Sequence, residues 1–430
     1  MSHYREGAVC LQTGSGFFRK DSRPSRDLSV LLAAHQASVA QRPLRWLDLM
    51  AGCGIRGLRW GLEACPESRP DLELWLNDAD PDRSSLLASN LQRLQGVRDV
   101  SWTTSSWAAE RLLRQAYLDQ IFFDLIDLDA FGCPNALLQS ALAVLRFDGL
   151  LVLASTDGRS PTGHDRRAAV RHFGAAARTH PASWELALRL QLAVLAREAW
   201  QLGRGLEPVA SFSEGRTFRL VVRLRQRLAA DEESQLGLLA RCERCGDQAV
   251  QPLLKLSGWR SCRCTDGQGR WAVTGPLWLG PLQMPAVLGQ LLELADSQPD
   301  TLSCAGRRLL RRAGPEASES APCVAQPQDD IALIGVLAVW LSLLRRHDVW
   351  RWRTRGANTA RQWGGATALA ILVHSAKEMA AAETLLAQAR SGGRPAPLLW
   401  LGRLLVALAA HVNIRVLLPR ALALAPVVKS

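Results

Sequence analysis

Lysine and tyrosine are scarce in this 430-residue chain. Four of its 52 basic residues are lysine, and there are 2 tyrosines. The simplest source of so strong a bias to arginine is a GC-rich genome, and the bias is not by itself a sign of phosphate binding. Cysteine is also thin, at 10 residues, which excludes a disulfide scaffold. Long apolar runs are missing. The longest uncharged one, Ile331–Leu344, has 14 residues, short of the roughly 20 a membrane-spanning helix needs. Residues 1–7 (MSHYREG) contain no apolar stretch, so no signal peptide is expected and the predicted location is cytoplasmic. Acidic residues nearly vanish only near the end. Residues 331–430 hold 11 Arg and 2 Lys against Asp348, Glu378 and Glu383. Of the net charge of +12, that stretch carries +10 and residues 1–330 only +2. The basic balance is therefore no nucleic-acid signal for most of the chain.

Apolar residues are plentiful, at 48%, and the length suits two or three domains at roughly 100–200 residues each. A helical pattern begins near Ser25. Strand-like runs at Leu44–Met50, Leu72–Leu76, Val100–Thr103, Ile121–Leu128 and Leu150–Ala154 then alternate with helical stretches. These stretches are Ile55–Ala64, Pro81–Leu94, Ala108–Tyr117 and Pro134–Phe147. Such alternation predicts a parallel α/β sheet with helices on both faces. A long helix is expected at Trp184–Leu202, followed by runs at Pro208–Phe212 and Thr217–Arg225. The second of these alternates as an antiparallel or edge strand does.

Three motifs lie at the ends of predicted strands. In the first, Asp48 ends a strand and Gly52, Gly54 and Gly57 follow, opening a helix. Glycines there let the backbone approach a ligand, and free N–H groups at the helix start face it. The spacing suits any nucleotide-like cofactor. In the second motif, Asn77-Asp78-Ala79 ends the next strand, and a carboxylate there can accept both hydroxyls of a ribose. Asp78 could equally cap the helix that starts at Pro81. An acid beside the glycines, Asp48, suits the cationic amino-acid end of S-adenosylmethionine better than it suits NAD. The third motif, Asp127-Leu128-Asp129-Ala130-Phe131-Gly132, puts an acid and an aromatic at the carboxyl edge of the sheet. Methyl transfer to an amine needs an acceptor for its N–H and an aromatic face for the base. Asp129 and Phe131 supply both.

Taken together, these segments resemble the tRNA (guanine(26)-N2)-dimethyltransferase family. Phe17-Phe18 and Ser25-Arg26-Asp27-Leu28-Ser29-Val30 are similar to that family's entry segment. Gly54-Ile55-Arg56, Asn77-Asp78 and Asp127–Gly132 follow in the same order. Ser155-Thr156-Asp157, Glu207-Pro208 and Gly275–Gly280 continue it, over roughly residues 17–292. The resemblance implies a Rossmann-like class I methyltransferase sheet. It implies S-adenosyl-L-methionine as methyl donor and transfer to the exocyclic N2 of guanine in tRNA, with tRNA as substrate and no stable protein partner. By position it implies catalytic roles for Asp129, Phe131 and Phe17. Arg26, Asp48, Gly52, Gly54, Arg56, Asp78 and Ala79 would hold the cofactor. Three positions depart from the pattern. Arg19-Lys20 stands for Asn-Pro, Ala130 for Pro, and Ser105–Glu110 lacks the acid expected to face the adenine, unless Glu110 replaces it. Two other readings stand beside this one: a tRNA-binding protein weakened in catalysis, which these departures motivate, and an enzyme that methylates an amine of another base.

Cys242-x2-Cys245 and Cys262-x-Cys264 lie 16 residues apart, a spacing that suits a closed, structural zinc site. Arg241, Arg244, Arg260 and Arg263 beside them could meet tRNA phosphates or form a solvated face. His164 and His172 read as structural or capping residues, and Trp340, Trp350 and Trp352 as core or interface. The expected division is an N-terminal segment (1–43) that contributes to the active site, a methyltransferase domain (44–228), an α+β domain with the four cysteines (229–312), a linker (313–330) and a tail (331–430). For the tail, a packed helical domain, a membrane-surface segment and an out-of-frame translation are the competing readings, with the third preferred and the membrane reading least favoured.

Overall fold

The computed structural model describes residues 3–310, apart from 65–70, 98, 181, 215–216, 245–246, 263, 265–268, 299–300 and 308–309. Expectations for Cys245, Arg263, the linker, the tail and its tryptophans lie outside the described residues.

A hairpin of β1 (His3–Glu6) and β2 (Val9–Gln12) leads into helix α1 (Arg23–Val39). Then come β3 (Leu44–Asp48), α2 (Ile55–Glu63), β4 (Leu72–Asn77), α3 (Ser84–Leu91) and β5 (Val100–Ser105). The chain continues through α4 (Ala109–Leu118), β6 (Phe123–Asp129), α5 (Leu138–Ala143), β7 (Leu145–Ser155), α6 (Arg166–Phe173) and α7 (Ser183–Gln201). The strands β8 (Gly205–Glu214) and β9 (Thr217–Arg225) follow. One seven-stranded sheet results, in the order β5-β4-β3-β6-β7-β9-β8, parallel from β5 to β7 and antiparallel at β9 and β8. The strand order reverses between β3 and β6. At such a switch point the carboxyl ends of the two strands open a crevice.

The central strands feed two cores, because successive side chains point to opposite faces. On β3, Trp46 packs with α1, α2 and α8 (Pro285–Ser297), while Leu47 packs with α4, α5 and α7. β6 behaves alike, with Leu125 on the first face and Ile126 and Leu128 on the second. A three-stranded antiparallel sheet, β11-β10-β12, comes from β10 (Leu236–Cys242), β11 (Gln248–Pro252) and β12 (Trp271–Trp278). Among the described residues it has no core of its own. Leu239, Leu277 and Trp278 join the second core beside α7, and Val287, Leu288 and Leu291 of α8 join the first.

One predicted helix was too long. The helical pattern over 134–147 ends at Ala143, and β7 begins at Leu145. The extra strand residues form a bulge. Phe123 pairs with Leu145 and Leu125 with Leu150, while Asp148 takes a left-handed φ of 63°. A Cβ on Gly149 would lie 2.8 Å from the Arg146 carbonyl and 2.9 Å from that of Asp124, so this turn needs glycine.

Arg59 of α2 is fully buried and ties the N-terminal elements together. It donates to Glu6 (2.8 Å), Asp27 (2.7 Å), Glu63 (2.8 Å) and the Thr301 carbonyl (2.7 Å). Among the described residues, no helix is long and apolar enough to cross a membrane.

Candidate functional site

The period of two along each strand places the charged side chains of this site on one face. Asp48 follows Leu47 and therefore sits on the Trp46 side, and Asp127 and Asp129 share the Leu125 side. On β9, Arg219 alternates with Leu220 and lies on the Val221 side. In register, Asp48 is directly beside Asp127, and Asp129 and Arg219 both pair with Ala154 of β7. Three carboxylates thus crowd onto one edge, where like charges on neighbouring strands repel.

Arg56, at the start of α2, lies over them. Its Nη1 donates to Asp127 and its Nη2 to Asp129 Oδ2 at 3.0 Å. Arg219 Nη1 reaches the same Asp129 oxygen at 3.5 Å. Two guanidinium groups cannot satisfy three carboxylates equally. Burial raises the carboxyl of Asp48 to about 6, although the Arg56 charge acts the other way. Asp127 is likewise pushed up, to about 7, by burial that outweighs Arg56, with Asp129 and Asp48 adding to the rise. Burial acts on Asp129 too, but there Arg219 and Arg56 together win and hold the group at about 2. Asp129 is also the exposed member, with 31% of its side chain open. At neutral pH it is the firmly ionised acceptor at the mouth.

Beside this acid stand two aromatic rings. Phe17 is 68% and Phe131 77% exposed, and they meet edge to face with centroids 5.1 Å apart. Large apolar rings left this open do not serve the core. The loop carrying Phe131 is pinned from β7. Gly132 N donates to Thr156 Oγ1 at 2.6 Å, and the Gly132 carbonyl accepts from Thr156 N at 3.0 Å. The Phe17 segment is pinned by Arg26, which donates to Glu6 (2.8 and 2.7 Å) and to the Arg19 carbonyl (3.1 Å) and lies over the Phe18 ring.

The glycine turn lies at the other side of Asp48. Gly52 and Gly54 have φ of 57° and 79°, left-handed values that only glycine takes freely. Gly52 N donates to Asp78 Oδ2 at 2.8 Å. Asp78 Oδ1 accepts from Asp80 N at 3.0 Å, and Asp80, not Asp78, caps the following turn by accepting from Asp82 N. Ala79 is exposed beside Asp78. The Asn77 amide closes this corner. It donates to the carbonyls of Leu49 (3.1 Å) and Trp107 (2.9 Å) and accepts from Trp107 N (3.0 Å) and Ser105 Oγ (2.8 Å).

The chemistry of these residues suits a cationic, nucleoside-bearing cofactor. Asp48 Oδ2 and Asp127 Oδ2 are buried with no hydrogen-bond partner, and a buried carboxylate oxygen calls for a donor. The turn supplies backbone N–H groups, and Asp78 stands at the end of the second strand.

The structure brings together Phe17 with Phe131, Asp129 with Arg56, and Gly52 with Asp78. Arg26 and Arg56 are tied into the protein, although Arg56 Nε is buried with no hydrogen-bond partner. Both guanidinium groups are buried and bonded to carboxylates of the protein. Glu110 accepts from Arg114 and Ser140 through Oε1, and its Oε2 is buried with no hydrogen-bond partner. Asp127, Arg219 and Asn77 were absent from the expected set. The period-two pattern of β6 was the signal for Asp127, whereas Arg219 needed the strand order.

At the small sheet, the sulfurs of Cys242, Cys262 and Cys264 lie within 4.8 Å of one another. A Cβ on Gly269 would overlap the Cys262 sulfur, at 1.9 Å. Of the neighbouring arginines, Arg260 is held by buried Asp247 at 2.6 and 2.9 Å and is not a free cation.

The sequence profile of the N2,N2-dimethylguanosine tRNA methyltransferase family matches residues 6–329. The chain is 30% identical over 278 residues to the tRNA (guanine(26)-N(2))-dimethyltransferase of Methanocorpusculum labreanum, covering 64% of this chain and 67% of that protein. It is 30% identical over 289 residues to the enzyme of the same name from Thermococcus kodakarensis, covering 64% and 70%. Among solved structures, Trm1 from Pyrococcus horikoshii in complex with S-adenosyl-L-methionine shares the fold. The TM-score is 0.63 at 21% identity, over 81% of this chain and 92% of that one.

Proposed function

The chain belongs to the N2,N2-dimethylguanosine tRNA methyltransferase family, and from that premise we propose that it transfers methyl groups from S-adenosyl-L-methionine to the exocyclic N2 of guanine 26 in tRNA. The observation that carries this reading is the ionised Asp129 beside two exposed, edge-to-face phenylalanines at the switch point of the sheet. Bound S-adenosylmethionine supplies an electrophilic methyl on a sulfonium. Asp48, the Gly52–Gly54 turn and Asp78 would hold it: Asp48 at its ammonium end, Asp78 at its ribose. Phe17 and Phe131 would grip the base. Asp129 Oδ accepts a hydrogen bond from the N2 amine and turns the nitrogen lone pair toward the methyl. With its carboxyl held near 2, Asp129 orients and stabilises rather than storing a proton, which leaves by the open edge. Arg56, Arg219 and Arg26 act as positioning residues, the first two on Asp129 and the third on the Phe17 segment. Most of the rate then comes from alignment.

The test is incubation with labelled S-adenosylmethionine and an unmodified tRNA transcript bearing guanine 26, with the product nucleoside identified by mass spectrometry. N2-methyl- or N2,N2-dimethylguanosine is expected. Methyl on another base, or none with the cofactor bound, overturns the reading. In the same assay Phe17→Ala and Phe131→Ala should each weaken tRNA use by roughly 5- to 100-fold, since base–aromatic stacking is worth about 1–3 kcal/mol. A change confined to the KM for the cofactor would remove the rings from the base.

The reading includes a structural zinc ion on Cys242, Cys262 and Cys264, with Cys245 of the same motif as fourth ligand. The converging sulfurs and the tight Gly269 support it. Gly269→Ala should therefore lower zinc retention in a chelator competition, and equal retention would separate the glycine from the metal.

A further inference from the structure

A second group of metal-ligating side chains lies away from the cysteine knuckle, and nothing in the proposed reaction uses it. Cys133 follows β6, Asp157 follows β7, and His172 is in the last turn of α6. Their ligand atoms all lie within 4.8 Å of one another. We propose that Cys133, Asp157 and His172 bind one divalent cation of the zinc class.

The geometry suits that occupant. His172 Nδ1 and Asp157 Oδ2 are 3.3 Å apart. Two tetrahedral ligands at about 2.0–2.2 Å from zinc stand roughly 3.3–3.6 Å apart. The donors are held in place before any ion arrives. Asp157 Oδ1 accepts from Ser160 N (3.0 Å) and Arg159 N (3.2 Å), which turns Oδ2 toward the cluster. Asn135 donates to the His172 carbonyl at 2.7 Å and accepts from Gln191 at 2.5 Å, fixing the end of α6. The chemistry of the set is selective. A thiol, an imidazole and one carboxylate match zinc and its neighbours in the transition series. Magnesium and calcium prefer oxygen alone. The His172 side chain is 41% exposed, so one face stays open to water as a fourth ligand.

Such an ion would tie three segments that otherwise meet through hydrogen bonds. Cys133 is two residues beyond Phe131, so metal occupancy would stiffen the Phe131 loop. That consequence rests on the function proposed above, whereas the binding does not.

The test is metal stoichiometry of the full chain, measured by competition with a chromogenic chelator after zinc loading. Wild type should hold one zinc equivalent more than either Cys133→Ser or His172→Ala. Substituting Cys242→Ser should leave that equivalent in place, which separates the two sites. With cobalt in place of zinc, the thiolate-to-cobalt absorption from this site should vanish in Cys133→Ser. His172 is exposed, so His172→Ala tests the site even if Cys133→Ser folds poorly. Equal stoichiometry in wild type and His172→Ala would overturn the proposal and leave an Asp–His ion pair beside a half-buried thiol.

Discussion

Asp129→Asn should slow methyl transfer by about 10²- to 10³-fold, the range typical for loss of one preorganised electrostatic hydrogen-bond partner. Cofactor affinity should change little. The substitution keeps the shape and removes the charge, leaving Arg56 and Arg219 facing an amide. An amide can turn its NH2 toward the guanine amine and present a donor to a donor. The pH dependence sharpens the expectation. Asp129 is held at about 2, so it stays ionised across the working range and gives the kcat profile no limb between pH 5 and 9. Any fall on the acid side belongs to Asp48 and Asp127, whose carboxyls lie at about 6 and 7. An acid limb that persists in Asp129→Asn fits this assignment. An acid limb in wild type that disappears in the variant would make Asp129 the titrating base and overturn it. Retention of nearly full activity by Asp129→Asn would sink the acceptor role altogether.

How far the sequence carried depends on how local each feature is. The five parallel strands were readable because each is a short apolar run closed by a turn. Asp48, Gly52, Gly54 and Asp78 were readable because strand, turn and helix start are adjacent in the chain. Arg219 was not, since it reaches Asp129 across β7 from 90 residues away. The same holds for the fate of Arg26 and Arg56. Their motifs mark them as part of the site, but only packing shows that Glu6 takes donors of Arg26 and that Asp127 and Asp129 take the two Nη groups of Arg56. The over-long helix before β7 has a different cause. Leu145, Arg146 and Phe147 keep a helix-compatible pattern, and the bulge at Asp148 and Gly149 turns them into strand. His172 illustrates a third limit, because a lone histidine in a basic helix gives no hint that Cys133 and Asp157 converge on it.

Asp48→Asn should move stability and cofactor binding in opposite directions. Asp48 is buried beside Asp127, and its carboxyl is raised from 3.8 to about 6, chiefly by burial. Each tenfold weakening of an acid corresponds to about 1.4 kcal/mol, so the ionised form costs the free protein up to roughly 3 kcal/mol. The sign follows from the raised folded-state value. Stability is fully present below the unfolded value near 4 and is lost as pH rises through about 6. Asn removes the loss. The variant's Tm should therefore match wild type near pH 4 and exceed it by several degrees at pH 7.5. Binding should go the other way. A charge-assisted hydrogen bond to the cofactor's ammonium is worth about 1.5–3 kcal/mol, so its loss weakens S-adenosylmethionine roughly 10- to 100-fold. In wild type the affinity should rise with pH through about 6, because the cation draws out the ionised form. In the variant that slope should be gone. Calorimetric titration at pH 5 and 7.5, together with thermal melts, reads both effects. A variant that loses stability at pH 7.5 would show that Asp48 is a structural acid. One that is stabilised but binds the cofactor unchanged would place the ammonium elsewhere, with Asp127 Oδ2 the remaining unpartnered oxygen on that face.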